Sequence, residues 1–200
     1  METIENIQEE LKEILSKERY KHSIGVMKKA EELAKQYGID PNVAALTGLA
    51  HDIGKEMSNQ EKIQYCQKNE IEIDEVEKYN IGLLHAKIGA DITKKYGFTI
   101  QMQQAILYHT TGHLDTDLLA KIVFVSDKIE ENRAYEGVEE LRKLAKQDID
   151  ECTFKILDTT IKKNIDKGVL IHPDGIFARN QLLVYKKYWK SYFIMETNVI

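Results

Sequence analysis

Residues 40–54, Asp-Pro-Asn-Val-Ala-Ala-Leu-Thr-Gly-Leu-Ala-His-Asp-Ile-Gly, decide the fold class. Asp40 offers a side-chain acceptor at a helix start, and Pro41 falls in the first turn, where its missing N–H costs nothing. Ala44, Ala45, Thr47, Gly48 and Leu49 follow with no strand-like alternation. The helix predicted here runs to about Gly54 and closes on two polar residues, His51 and Asp52.

The same three- and four-residue apolar step recurs on both sides. It predicts helices over residues 2–15, 17–37, 58–68, 81–96, 99–110, 116–132, 137–146, 150–167 and 174–193. Gly38 and Gly97 stop two of them, and Ser58 with Glu61 forms a capping box for a third. Residues 71–79 read as a loop or a short helical turn. Neither of the two prolines, Pro41 and Pro173, interrupts a periodic segment, and no repeat or long linker divides the chain. The expectation is an all-α fold in which residues 1–200 form one domain.

Hydrophobic residues make up 42% of the 200 and charged residues 30%, which suits a soluble globular protein. The net charge of −5 argues against charge-driven binding to nucleic acid. No run approaches the roughly 18–20 apolar residues of a membrane span, and the acidic start lacks a signal-peptide pattern. Cys66 and Cys152 are isolated, as expected of reduced thiols in a cytoplasmic protein.

The chemistry lies in polar residues on apolar helical stripes. His22 shares a face with Val26, Ala30 and Leu33, and His85 with Ile81, Ile88 and Ile92. His109 continues Met102, Ala105 and Ile106, while Asp127 lies with Ala120, Val123 and Phe124. Any one of these read alone is an ordinary hydrogen-bonded core residue. Together with His51 and Asp52 they place imidazoles and carboxylates inward from five helices, with few cations on the same stripes to pair the acids. Such a set suits one or two divalent ions; without thiolate, iron, manganese, zinc, cobalt or nickel fits.

The order of these residues resembles the HD superfamily of metal-dependent phosphohydrolases. Five segments narrow the likeness: His22-Ser-Ile-Gly-Val26, His51-Asp-Ile-Gly-Lys55, Leu83-Leu-His-Ala-Lys-Ile-Gly-Ala90, His109-Thr-Thr-Gly112 and Asp127-Lys-Ile-Glu-Glu-Asn-Arg133. They are similar to the YqeK-type symmetrical bis(5'-nucleosyl)-tetraphosphatases, with the likeness spanning about residues 16–185. Ser126 and Lys128-Ile-Glu-Glu131 depart slightly from the usual wording.

The resemblance implies a single HD-type helical bundle with a central dimetal site. His22, His51, Asp52 and Asp127 would surround one metal, and His85 and His109 the second, with Asp52 bridging. Iron is the favoured ion. Beside the resemblance, Asp52 and Lys55 read as serving catalysis, and Lys55, Thr110, Thr111, His113, Arg133 and Arg179 as touching substrate; a helix-end lysine, capping threonines, a loop histidine and a surface arginine are the plain alternatives for Lys55, Thr110 and Thr111, His113 and Arg133. Arg179 enters through the segment Ile171-His-Pro173 and Ala178-Arg-Asn180, which also resembles the family pattern.

The activity implied is hydrolysis of diadenosine tetraphosphate (Ap4A) into two ADP. The partner is then a small dinucleoside polyphosphate or nucleotide, with no nucleic acid and no membrane. A nucleotidase or phosphodiesterase for a simpler nucleotide stays open, as does a nucleotide sensor without turnover. Tyr185, Tyr188, Trp189 and Tyr192 would pack the last helix or a homodimer contact; stacking on a base is the lesser reading.

Overall fold

The structure, a computed structural model, describes residues 3–189. Among them every regular element is helical. α1 (Ile4–Ile14), α2 (Lys17–Tyr37) and α3 (Pro41–Ala50) open the chain, followed by α4 (Asn59–Lys68), α5 (Glu75–Tyr79) and α6 (Leu84–Ile92). α7 (Ile100–Tyr108), α8 (Leu118–Ile129), α9 (Val138–Gln147), α10 (Ile149–Asp166) and α11 (Pro173–Val184) complete it. No described helix is long and apolar enough to cross a membrane.

Caps set most of these boundaries. Asp40, Ser58, Thr99, Asp117 and Asp148 accept backbone N–H groups at the starts of α3, α4, α7, α8 and α10. Asp74 does the same for α5, a short helix inside the segment that the periodicity left undecided.

α2 packs along α3; α3 meets α7 and α8, and α2 meets α8, so the three-residue and four-residue stripes face one core. Leu33, Leu49, Ile106 and Ile122 are fully buried there; each contributes roughly 1.5–3 kcal/mol by leaving water. Ile7 and Leu11 of α1 are equally buried, which makes the first helix part of the core. α10 packs against α8 and α11 packs on α10, while α4 packs on α6 over a smaller cluster of Cys66, Leu84 and Ile88.

Three predicted boundaries change. The helix expected to reach Gly54 ends at Ala50, and residues 51–54 form tight turns closed by Ile53 N–H to Ala50 O and Lys55 N–H to Asp52 O. Gly54 lets this turn lie close against α6, because a Cβ there would stand 2.9 Å from the His85 carbonyl oxygen. The single helix expected over 81–96 is α6 flanked by 3-10 turns at Ile81–Leu83 and Thr93–Tyr96. α11 yields to a π-helical turn at Tyr185–Trp189, and Tyr192 lies outside the described residues, as do the side chains of Tyr188 and Trp189.

Candidate metal centre

Five elements deliver six side chains to one place. His22 comes from the second turn of α2, His51 and Asp52 from the turn after α3, and His85 from the start of α6. His109 caps the end of α7, and Asp127 lies in the last turns of α8. All six are buried.

Their ring nitrogens are oriented alike. His51 donates its Nδ1–H to Gly48 O at 2.7 Å, and His109 donates to Ile106 O at 2.6 Å. His85 makes the same bond to Gly82 O, and His22 Nδ1–H donates to Glu130 Oε1 at 3.1 Å. Each bond leaves Nε2 with a lone pair, and these lone pairs point inward. His22 Nε2 lies 3.0 Å from Asp127 Oδ1, and His85 Nε2 lies 3.2 Å from Asp52 Oδ1 and 3.1 Å from His109 Nε2.

Acceptors this close repel one another unless a cation stands among them. His51 Nε2 and Asp52 Oδ1 are buried with no hydrogen-bond partner, which is the mark of ligand atoms. His22, His51 and Asp127 offer ligand atoms within 4.8 Å of one another, as do His51, Asp52 and His109. Nitrogen and carboxylate oxygen without thiolate fit a divalent ion.

The electrostatics agree. Burial pushes His85 down and His109 down to about 4, keeping both lone pairs free of protons at neutral pH. Burial also opposes charge on His51, yet the Asp52 and Asp127 carboxylates outweigh it and raise that imidazole. Asp52 and Asp127 sit well below the usual carboxylate range, because His51 and Lys128 respectively overcome their burial.

One expectation is corrected here: cations do pair the buried acids. Arg19 Nη1 reaches Asp52 Oδ2 at 2.8 Å, Lys128 Nζ reaches Asp127 Oδ2 at 2.6 Å, and Arg133 Nη2 reaches Asp127 Oδ1 at 2.8 Å. Arg19 precedes His22 by one turn on the same face, the signal that could have found it. Glu130, also missed, follows Asp127 by three residues and is buried.

Of the expected substrate contacts, Lys55 Nζ stands 3.2 Å from His85 Nε2, and Thr110 Oγ1 stands 3.1 Å from His109 Nε2. Arg133 lies 3.4 Å from His22 Nε2. Thr111 turns away, its hydroxyl donating to Gly112 O at 2.9 Å. The His113 ring stacks on Tyr108 with centroids 4.1 Å apart, outside the cluster. Arg179 is not brought to the centre: it ties α11 to α10 through Asp158 at 2.8 Å and lies over the Phe154 ring.

Comparison with known proteins defines the class. The HD domain family model matches residues 19–132, and the chain belongs to that family. Within it, the chain is 37% identical over 175 residues to the symmetrical bis(5'-nucleosyl)-tetraphosphatase of Halalkalibacterium halodurans, covering 86% of this chain and 93% of that protein. It is 32% identical over 175 residues to the Bacillus subtilis protein of the same name, covering 86% and 94%. A crystal structure from Clostridium acetobutylicum, of a predicted HD superfamily hydrolase involved in NAD metabolism, superposes with a TM-score of 0.87 at 37% identity, over 92% of this chain and 98% of that one.

Proposed function

We propose that this chain is a metal-dependent phosphohydrolase that cleaves Ap4A symmetrically into two ADP. The observation that carries the reading is the convergence of four imidazole Nε2 atoms on the carboxylates of Asp52 and Asp127. The two tetraphosphatase relatives, 37% and 32% identical over nearly their whole length, support the substrate.

In this reading His22, His51, Asp52 and Asp127 would hold one ion, and His85, His109 and Asp52 would hold the second. Iron is the ion proposed; manganese, zinc and cobalt accept the same donors. When bound, such ions make water more acidic and neutralise charge on phosphate oxygens. Two buried free thiols, Cys66 and Cys152, suit the cytoplasmic setting we assign.

The chain's own residues do the rest. Asp52 Oδ1, without a hydrogen bond of its own, accepts one from the attacking water and aims it. Lys55 faces the His85 end of the site, and Arg19, Lys128 and Arg133 face the other; all four offer N–H donors to phosphate oxygens. The Thr110 hydroxyl adds a donor between His85 and His109. The water oxygen bonds to an inner phosphorus while that atom's bond to the central bridging oxygen breaks. One ADP leaves with the bridging oxygen, and the other keeps the oxygen from water.

The test is a substrate panel on protein loaded with iron or manganese under reducing conditions, with His51→Ala beside it. ADP as sole product from Ap4A, absent in the variant, is expected. Faster turnover of a nucleoside monophosphate or a simple phosphodiester would replace this reading with a nucleotidase or phosphodiesterase; no turnover of any would point to a sensor.

A further inference from the structure

Beside the metal centre lies a cavity of about 540 Å³, within the range of small-ligand sites. Thr110 belongs to both: it lines the cavity, and its Oγ1 stands 3.1 Å from His109 Nε2. From that shared edge the wall passes over Tyr108 and Leu107 to Pro173 and Asp174, in the first turn of α11.

We propose that this cavity holds one nucleoside of the dinucleotide, with its base against Tyr108 and an amino or hydroxyl group on the Asp174 carboxylate. The proposal rests on the reading of the centre as a dinucleoside tetraphosphate hydrolase.

Tyr108 is prepared for stacking. His113 covers one face of its ring at an interplanar angle of 19°, which holds the ring still while Tyr108 lines the cavity. A nucleobase offers a flat π surface to such a ring. His113, expected to touch substrate, acts here from behind the platform.

The acids of the cavity wall are not equal. Asp74 caps α5 and binds His172 Nε2 at 3.0 Å, and Glu77 pairs with Lys87 at 2.6 Å. Asp174 is less committed, with His172 Nδ1 at 3.5 Å from its carboxylate. A carboxylate accepts hydrogen bonds from amino and hydroxyl groups and repels phosphate. The charge pattern therefore sets direction, phosphates toward Thr110 and the cations, nucleoside toward Asp174.

The wall is also fixed in place. The His172–Asp74 contact ties the start of α11 to the start of α5. Gly175 lets α11 approach closely, since a Cβ there would stand 3.0 Å from the Thr111 carbonyl oxygen. A site held from two sides loses little entropy when a ligand enters.

Calorimetric titration of the metal-loaded full chain with ADP, and in parallel with inorganic pyrophosphate, tests the proposal. Tyr108→Ala is expected to weaken ADP binding roughly tenfold or more and to leave pyrophosphate binding unchanged. Asp174→Asn is expected to weaken ADP binding by roughly tenfold without weakening pyrophosphate. Loss of both ligands together in either variant, or wild-type ADP binding in both variants, overturns it. A chain that shows the selective loss but fails to cleave Ap4A keeps the cavity assignment and sinks the reaction.

Discussion

Glu130 Oε1 accepts the Nδ1–H of His22 at 3.1 Å and so fixes the ring that aims Nε2 at Asp127. Glu130 is itself held, its Oε2 accepting from the backbone N and side-chain Nδ2 of Asn132 at 2.7 and 2.8 Å. A carboxylate behind an imidazole sets its tautomer and raises its basicity as a ligand. Glu130→Gln cannot satisfy both sides, because an amide must turn a donor toward either His22 or Asn132. Its metal affinity is expected to fall roughly 10- to 100-fold. Competition with a chelator measures it, and unchanged affinity would remove Glu130 from the account.

Gly25 faces the same carboxylate. A Cβ on it would stand 2.2 Å from Glu130 Oε2, and Glu130 is too enclosed to step aside. Gly25→Ala should therefore lower metal affinity in the direction of Glu130→Gln. Combined with Glu130→Ala, which makes room, it should cost much less than the sum of the two single changes. Additive losses in a double-mutant cycle would show that Gly25 acts elsewhere.

The pH response of chelator-treated protein follows from the imidazoles. His109 lies at about 4 against an ordinary 6.5, and His85 is shifted the same way by burial. Between those values the unfolded chain binds more protons than the folded one, so stability falls as pH drops from 6.5 toward 4. His51, raised by its acidic neighbours, has the opposite sign and offsets part of the loss. Asp52 and Asp127 add their own loss below the ordinary 3.8 of a carboxyl. Urea titrations at pH values across this window are expected to show declining stability; replacing His109 with Gln should flatten the decline. A slope that survives that substitution intact would assign it to other groups.

Arg133 makes a fork that lysine cannot copy. Its Nη2 donates to Asp127 Oδ1 at 2.8 Å while its Nε donates to the Asp127 carbonyl oxygen at 2.9 Å. Arg133→Lys keeps the charge and loses the planar pair. We expect metal content to persist and kcat/KM for Ap4A to fall roughly tenfold, the order of one charge-assisted hydrogen bond. Steady-state kinetics beside metal analysis separates the two, and loss of metal would make Arg133 a support of the centre instead of a phosphate contact.

His22, His85, His109 and Asp127 were legible because a polar side chain on an apolar helical stripe has nowhere to point but inward. The end of α3 was not: the chain leaves the helix at Ala50 and its next turn brings Gly54 against the His85 carbonyl, a contact distant in sequence. Arg19 and Glu130 lay one helical turn from His22 and Asp127, and the face rule would have reached them. The Asp74–His172 contact joins residues 98 apart, which no local pattern records. Arg179 shows the opposite failure: a familiar-looking segment drew it toward substrate, whereas its guanidinium meets Asp158.

Hydrolysis of Ap4A in 18O-labelled water tests the central claim most directly, with phosphate labelling read by mass spectrometry. The account predicts ADP as the sole product, half of it carrying one heavy oxygen on its terminal phosphate and the other half none. Heavy oxygen in AMP or ATP would contradict cleavage at the central bridging oxygen, and the absence of any labelled product would contradict a hydrolase of this substrate.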